Sequence, residues 1–288
     1  MTRIAYVNGR YVPQAAAAVH VEDRGLQFAD GVYEVMFVAD GRLVDERGHL
    51  ERLARSLAEI RIAPPMSERA LSAVLRETIA RNRLDDGIVY IQVDRGVAPR
   101  GHAFPKAAVR PSVVVTVKRM PRPRTADAWP GVAVITRPDI RWKRVDIKTV
   151  GLLANCLAKQ QAAEAGAYEA WLVDGDGYVT EGSSTNAWIV DGDGRAVTRS
   201  LGPDILPGIT RAAVLRLARR AGVAVVERPF TVAEAKGARE AFLTSTTSFV
   251  RPVVRIDDAV VGNGEPGSVT RTLLGGYIAY LAGEGLAA

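Results

Sequence analysis

Two dipeptides, Asn8-Gly9 and Asp40-Gly41, constrain the fold of this chain more than any other feature. Each stands between short apolar runs and suits a type I′ turn, whose two central residues need positive φ. They therefore predict antiparallel hairpins over 4–12 and 32–44. Between the hairpins, the two glycines of Glu22-Asp23-Arg24-Gly25-Leu26-Gln27-Phe28-Ala29-Asp30-Gly31 interrupt regular structure ahead of an aromatic strand. Leu50, Leu53, Leu57 and Ile60 mark one helix face, and Ser67 caps a second helix carried by Leu71, Val74, Leu75 and Ile79. Strand-like runs at 87–95 and 112–119 complete a small α+β domain over 1–118. Arg119, Arg122 and Arg124 alternate with Pro121 and Pro123, so 119–124 is expected to be a linker.

The remaining 125–288 is expected to be a larger domain. Strands are predicted at 132–137, around Lys148, and at 168–173, 178–181, 185–190, 223–227, 240–244 and 252–256. Helices are predicted at 151–165, 210–221 and 268–281. A chain of 288 residues, 48% apolar and 24% charged, suits two soluble domains. No apolar run reaches the roughly 20 residues of a membrane span, and the N-terminus opens into a strand pattern, which predicts a cytoplasmic protein with no membrane partner. Cys156 stands alone, so no internal disulfide forms, and its helix position predicts a packed thiol.

The net charge of +6 raises the possibility of a nucleic-acid partner. The arginines are dispersed among acids, however, and the one dense cluster is proline-rich and lacks aromatic residues for stacking on bases. No nucleic-acid partner is expected. The Asp-Gly-Asp-Gly repeats at 174–177 and 191–194 lack the glutamate of a calcium loop at position twelve and predict turns, with no metal site. The run Gly262-Asn263-Gly264-Glu265-Pro266-Gly267 lies too near the C-terminus to open a dinucleotide-binding unit.

The residues that carry chemistry centre on Asp146-Ile147-Lys148-Thr149. A covalent Schiff base needs a lysine amine held at a rigid, partly dry junction. Of six lysines, Lys118 and Lys143 sit among arginines, Lys159 and Lys236 lie in polar helices, and Lys106 follows a proline. Lys148 alone alternates with an aliphatic pair, Val145 and Ile147, although a lone lysine after a strand is ordinarily solvated. Pro207-Gly208-Ile209-Thr210 opens a helix whose free N–H groups suit a phosphate, and Thr244-Ser245-Thr246-Thr247-Ser248 adds a row of hydroxyls. Glu181 could hold the proton of a pyridine nitrogen, although a glutamate at a strand end is by itself more often simply exposed.

Together these pieces resemble the class IV (fold type IV) pyridoxal-phosphate aminotransferases over almost the whole chain. The match runs through Phe28-Ala29-Asp30-Gly31-Val32-Tyr33-Glu34, Arg137-Pro138-Asp139-Ile140-Arg141-Trp142, Asp146-Ile147-Lys148, Thr180-Glu181-Gly182-Ser183-Ser184-Thr185-Asn186, Leu206-Pro207-Gly208-Ile209-Thr210 and the Thr244 run. The resemblance implies an α+β, two-domain fold with a barrel-like sheet in the larger domain. It implies pyridoxal 5'-phosphate as cofactor, Lys148 as the Schiff-base lysine, Glu181 as partner of the ring nitrogen and Leu206 against the ring. Arg52, Ile209, Thr210, Ser245 and Thr246 become the phosphate site, in an obligate homodimer with the site between domains.

Within the family, Tyr33 with Arg100 and His102 in Pro99-Arg100-Gly101-His102 resembles the carboxylate trap of the D-amino acid transaminases, in which arginine and histidine come from the partner subunit. This implies transfer of the amino group of D-amino acids, such as D-alanine, to 2-oxoglutarate. Leu153 stands where the branched-chain L-enzymes commonly carry tyrosine. Pro207 is more like the branched-chain motif, and Thr185 replaces a usual serine. The alternatives are a branched-chain L-aminotransferase, the aminodeoxychorismate lyase of the same fold and, from another class, a basic RNA-binding protein.

Overall fold

The computed structural model describes residues 3–127 and 129–284. The chain forms two compact units: one runs through Arg122 and includes Ile147–Gly151, and the other comprises Pro123–Asp146 and the chain from Leu152 onward. Among the described residues no helix is long and apolar enough to cross a membrane.

The first unit contains β1 (Ile4–Val7), β2 (Arg10–Pro13), α1 (Arg24–Phe28), β3 (Gly31–Ala39), β4 (Arg42–Leu43), α2 (Glu46–Glu59), α3 (Glu68–Asn82), β5 (Gly87–Asp94) and β6 (Ser112–Arg119). Its six strands form an antiparallel sheet in the order β2-β1-β6-β5-β3-β4. Both Asx-Gly turns form with positive φ, Asn8 at 48° and Gly9 at 97°, Asp40 at 49° and Gly41 at 73°. Strand alternation divides the sheet into two faces. Val32, Met36, Val38, Val89, Ile91, Val93, Val113, Val115 and Val117 are buried with the leucines of α2 and α3. Tyr33, Val35, Tyr90, Gln92, Val114 and Thr116 lie on the other face, half-exposed. The interrupted stretch expected before β3 contains the short helix α1, capped by the Asp23 side chain on the Gly25 N–H.

The second unit contains β7 (Val132–Pro138), α4 (Leu153–Glu164), β8 (Glu169–Val173), β9 (Val179–Gly182), β10 (Asn186–Val190), β11 (Ala196–Thr198), α5 (Ile209–Arg220), β12 (Val225–Glu227), α6 (Val232–Lys236), β13 (Glu240–Ser245), β14 (Phe249–Ile256), β15 (Ala259–Val260) and α7 (Ser268–Leu281). Its nine-stranded mixed sheet has the order β12-β11-β10-β13-β14-β7-β8-β9, with β15 beside β14. The three residues 183–185 join β9, at one end of that order, to β10 near the other. A link that short requires the sheet to curl back on itself into a half-barrel. Trp171, Val179, Ile189, Val197, Phe230 and Leu243 fill its interior.

The stretch around Lys148 differs from expectation in two ways. No strand forms over 145–148; the chain turns, and only Thr149 makes an isolated bridge, to Val32. The segment also belongs with the first unit, not with the larger domain expected from residue 125. Tyr33 N–H donates to the Lys148 carbonyl at 3.0 Å and Val150 N–H to the Gly31 carbonyl at 3.1 Å, so the segment lies along β3 where β4 does not reach.

Two smaller corrections follow. Arg122, expected in a linker, is 7% exposed and pairs with Asp40 and Asp86 of the first unit. Cys156 is exposed rather than packed. Helix α4 buries Ala158 and Ala162, one turn apart. Cys156, two residues before Ala158, falls on the opposite side of a 3.6-residue helix.

Candidate active site

Strand β3 organises the chemistry of the first unit. Tyr33 points to the half-exposed face, where the Lys148 ammonium lies 4.1 Å from its ring centroid and Tyr90 stacks on it with centroids 5.6 Å apart. Glu34 points the other way, with no exposure. Arg52 grips Glu34 with two bonds, Nε to Oε1 at 2.7 Å and Nη2 to Oε2 at 2.8 Å, and His49 Nδ1 lies 2.8 Å from Oε2. Burial alone would raise the Glu34 carboxyl, but the Arg52 guanidinium, joined by His49, holds it down at about 2. His49, Arg52 and Ser56 recur at three and four residues, so one face of α2 carries all three. The Ser56 hydroxyl reaches the Lys148 backbone N–H at 3.4 Å.

The loop carrying Arg100 and His102 is exposed, yet tied down. Arg24, 3% exposed, donates to the Gly101, His102 and Ala103 carbonyls and pairs with Asp30 at 2.7 Å. The Arg100 guanidinium lies 4.7 Å above the Phe28 ring, and His102 packs on the same ring at 5.5 Å. Within the chain these side chains therefore rest on Phe28, and no hydrogen bond joins either to Tyr33.

In the second unit, Glu181 is the penultimate residue of β9, with its carboxylate fully engaged. Arg141 Nη1 donates to Oε1 at 2.5 Å, while Asn186 Nδ2 and the Leu206 N–H each donate to Oε2 at 3.0 Å. Arg141 is held in turn by Asp139 at 2.7 Å. Burial acts against the Arg141 charge, but Asp139 and then Glu181 raise its pKa above the ordinary arginine value. Glu181 is thus a buried carboxylate with its charge supported from behind.

Gly208 caps α5 with no side-chain bond, leaving the N–H groups at the start of that 12-residue helix for another acceptor. Gly208 has to be glycine, since a Cβ there would lie 2.0 Å from Asn186 Oδ1. Asn186 pairs across the sheet with Thr244, which brings the end of β13 and its hydroxyls to the same place. Thr210 is buried, and Ser245 Oγ accepts the Ser248 N–H at 3.0 Å. Thr185, 5% exposed, has a buried hydroxyl with no partner among the described residues.

Lys148, Tyr33 and Arg52 therefore gather around β3, with Arg100 and His102 on the loop after β5. Glu181, Leu206, Ile209, Thr210, Ser245 and Thr246 gather at one end of the β9, β10 and β13 strands. Motif reasoning missed Arg141, Asn186, Glu34, His49 and Arg24. Arg141, Asn186 and Glu34 lie inside the matched motifs and could have been found there; Arg24 acts through loop carbonyls, which leave no sequence signal.

An amine, an acceptor for a ring N–H and an uncapped helix start with neighbouring hydroxyls are the donor set that suits a phosphorylated pyridine aldehyde. The unpartnered Thr185 hydroxyl adds a polar atom that lacks an acceptor. These residues fit pyridoxal 5'-phosphate.

Comparison with known proteins agrees. The family model described as Amino-transferase class IV matches residues 31–256. The D-alanine aminotransferase of Bacillus licheniformis is 41% identical over 92% of this chain and 93% of its own length. That of Staphylococcus haemolyticus is 40% identical over 98% of each. Among solved structures, the T.th. branched-chain amino acid aminotransferase with pyridoxamine 5'-phosphate superposes with a TM-score of 0.90 at 27% identity, covering 99% of this chain and 96% of that one. The Escherichia coli branched-chain enzyme gives 0.89 at 25% identity, covering 100% and 97%. The chain belongs to the class IV aminotransferases, enzymes of fold type IV that use pyridoxal phosphate.

Proposed function

We propose that this enzyme transfers the amino group of D-amino acids, with D-alanine as the reference substrate, to 2-oxoglutarate, giving pyruvate and D-glutamate. The observation that carries this reading is the Arg100 and His102 loop on a chain 37–41% identical to D-alanine aminotransferases over nearly its whole length. Bound pyridoxal 5'-phosphate supplies an aldehyde to accept the amino group and a ring to withdraw electrons from the substrate α-carbon.

The protein supplies the rest. Lys148 would hold the cofactor through its amine, and that amine is the group on this chain that would act as general base toward the substrate α-proton and then as general acid. Glu181, backed by Arg141, would stabilise a proton on the ring nitrogen. Ile209, Thr210, Ser245, Thr246 and Arg52 are assigned to the phosphate, and Leu206 to the ring face. Tyr33, Arg100 and His102 bind the substrate carboxylate. Because Arg100 and His102 rest on Phe28 within their own chain, this reading has them serve the partner subunit of a homodimer. The protein acts in the cytoplasm on small molecules, without nucleic acid or membrane.

The test is the loaded enzyme mixed with D-alanine or with L-leucine, each with 2-oxoglutarate, while the visible spectrum is followed. Bleaching with pyruvate formation from D-alanine is expected. A response to L-leucine alone assigns the enzyme to the branched-chain group instead.

A further inference from the structure

A buried carboxylate that the proposed mechanism does not use lies on the same sheet as Tyr33. Asp94, the last residue of β5, is 3% exposed and has no ion pair among the described residues. It is packed against two glycines: a Cβ on Gly25 would lie 2.1 Å from its Cγ, and one on Gly31 would lie 2.0 Å from its Oδ1. Its surroundings are acidic. Asp23 faces it from the cap of α1, bonded to the Ser112 hydroxyl and the Gly25 N–H. Asp30 is nearby, with Arg24 and Arg95 both occupied in pairing to it. Burial first, then Asp23 and Asp30, push the Asp94 carboxyl up to about 7.

Among the described residues the only side chain bonded to Asp94 is Gln92, whose amide nitrogen donates to Oδ1 at 3.0 Å and to Oδ2 at 2.8 Å. The other end of that amide accepts the Tyr90 hydroxyl at 2.8 Å. Tyr90 stacks on Tyr33, which lies under the Lys148 ammonium. Burial, then Tyr33 and Asp94, raise the Tyr90 pKa above the ordinary tyrosine value, so its hydroxyl keeps its proton.

We propose that Asp94, acting through the Gln92 amide, sets the direction of the Tyr90 O–H and thereby makes Tyr90 a second, switchable donor to the substrate carboxylate beside Tyr33. This rests on the carboxylate-binding role given above to Tyr33. An ionised carboxylate can only accept, so it draws the amide nitrogen, and the amide oxygen then takes the Tyr90 proton. A neutral Asp94 donates instead. The amide turns over, its nitrogen donates to the Tyr90 oxygen, and the Tyr90 proton is released toward the open face. Substrate carboxylate gains a donor in the second state and meets only a lone pair in the first. Packing does not require an ionisable group here, because asparagine fills the same space between Gly25 and Gly31.

The test compares the wild-type holoenzyme with D94N and Y90F from about pH 6 to about pH 8.5. It measures KM and kcat for D-alanine, the Kd of propionate as an unreactive carboxylate, and the infrared band of the protonated carboxyl. A hydrogen bond to a charged group corresponds to roughly a tenfold change in binding. In the wild type, KM and the propionate Kd are expected to rise about tenfold across this range as the carboxyl band is lost, with kcat moving less. D94N lacks the band and has a flatter profile; Y90F stays near the weaker, high-pH affinity throughout. An imidazole in the substrate loop also bends such profiles, so the decisive quantity is the difference in slope between wild type and D94N. Equal slopes, or a titrating band with constant propionate affinity, overturn the proposal. Absence of D-alanine turnover at every pH overturns the functional reading instead, and propionate binding then still decides the role of Asp94.

Discussion

Tyr33 and Lys148 are joined twice: the Tyr33 N–H donates to the Lys148 carbonyl at 3.0 Å, and the Lys148 ammonium lies 4.1 Å from the Tyr33 ring centroid. The lysine is therefore placed by β3, well before it in the chain. The ring and the hydroxyl of Tyr33 then have separable tasks. Y33F keeps the ring under the lysine and removes the hydroxyl proposed to bind the substrate carboxylate, so the visible band of the loaded enzyme is expected to persist while KM for D-alanine rises about tenfold. K148A is expected to lose both the band and turnover; substantial steady-state activity in K148A would remove Lys148 from its assigned role.

Arg100 is exposed and, among the described residues, stacked only on Phe28, so its loss should leave the fold intact. R100A is expected to melt with the wild type while losing about ten- to a hundredfold in kcat/KM for D-alanine. A simple amine lacking the carboxylate should be almost unaffected. Equal losses for the two substrates would argue against a carboxylate contact.

Glu181 has its bonds to Arg141, Asn186 and Leu206 inside the second unit, and E181Q preserves its shape. What the amide cannot do is stabilise a proton on the ring nitrogen. A fall in kcat of about a hundredfold or more is expected, with cofactor still bound, as measured by stopped-flow bleaching. Unchanged kcat would assign the ring proton elsewhere.

Glu34 and Arg52 form a buried ion pair. E34Q removes the charge that both Arg52 and His49 bond in a buried setting, so it is expected to lower unfolding free energy by about 3–5 kcal/mol in urea titrations at neutral pH. The sign with pH follows from the depressed carboxyl. Its stabilisation is complete above the ordinary value of 4.5 and is lost as pH falls toward about 2. The gap between wild type and E34Q should narrow over that interval.

Asp94 predicts the opposite slope. Its carboxyl is raised from 3.8 to about 7, so the folded state holds the proton that the unfolded chain releases, and stability falls as pH rises through that range. D94N should therefore be more stable than wild type at about pH 8, by on the order of 2 kcal/mol, with the gap closing toward about pH 4. A pH-independent difference would show that Asp94 does not titrate there.

Much was legible in the residues themselves, because local rules act over a few positions. Asn8-Gly9 and Asp40-Gly41 determined their hairpins through the positive φ each turn requires, and Ser67 capped α3 as its position before Leu71 indicated. The order of short motifs around Lys148, Glu181, Gly208 and Ser245 carried the family resemblance, which the match to the class IV aminotransferases over residues 31–256 bears out. Tertiary structure alone decided which distant groups meet. It attached Lys148 to β3 instead of a strand of its own, drew Arg52 onto Glu34, turned Cys156 to solvent, and docked Arg122 on Asp40 and Asp86. It also placed a carboxylate, Asp94, where burial and two other aspartates raise its pKa. Burial and charge pairing depend on residues tens of positions apart, and no local periodicity records those distances.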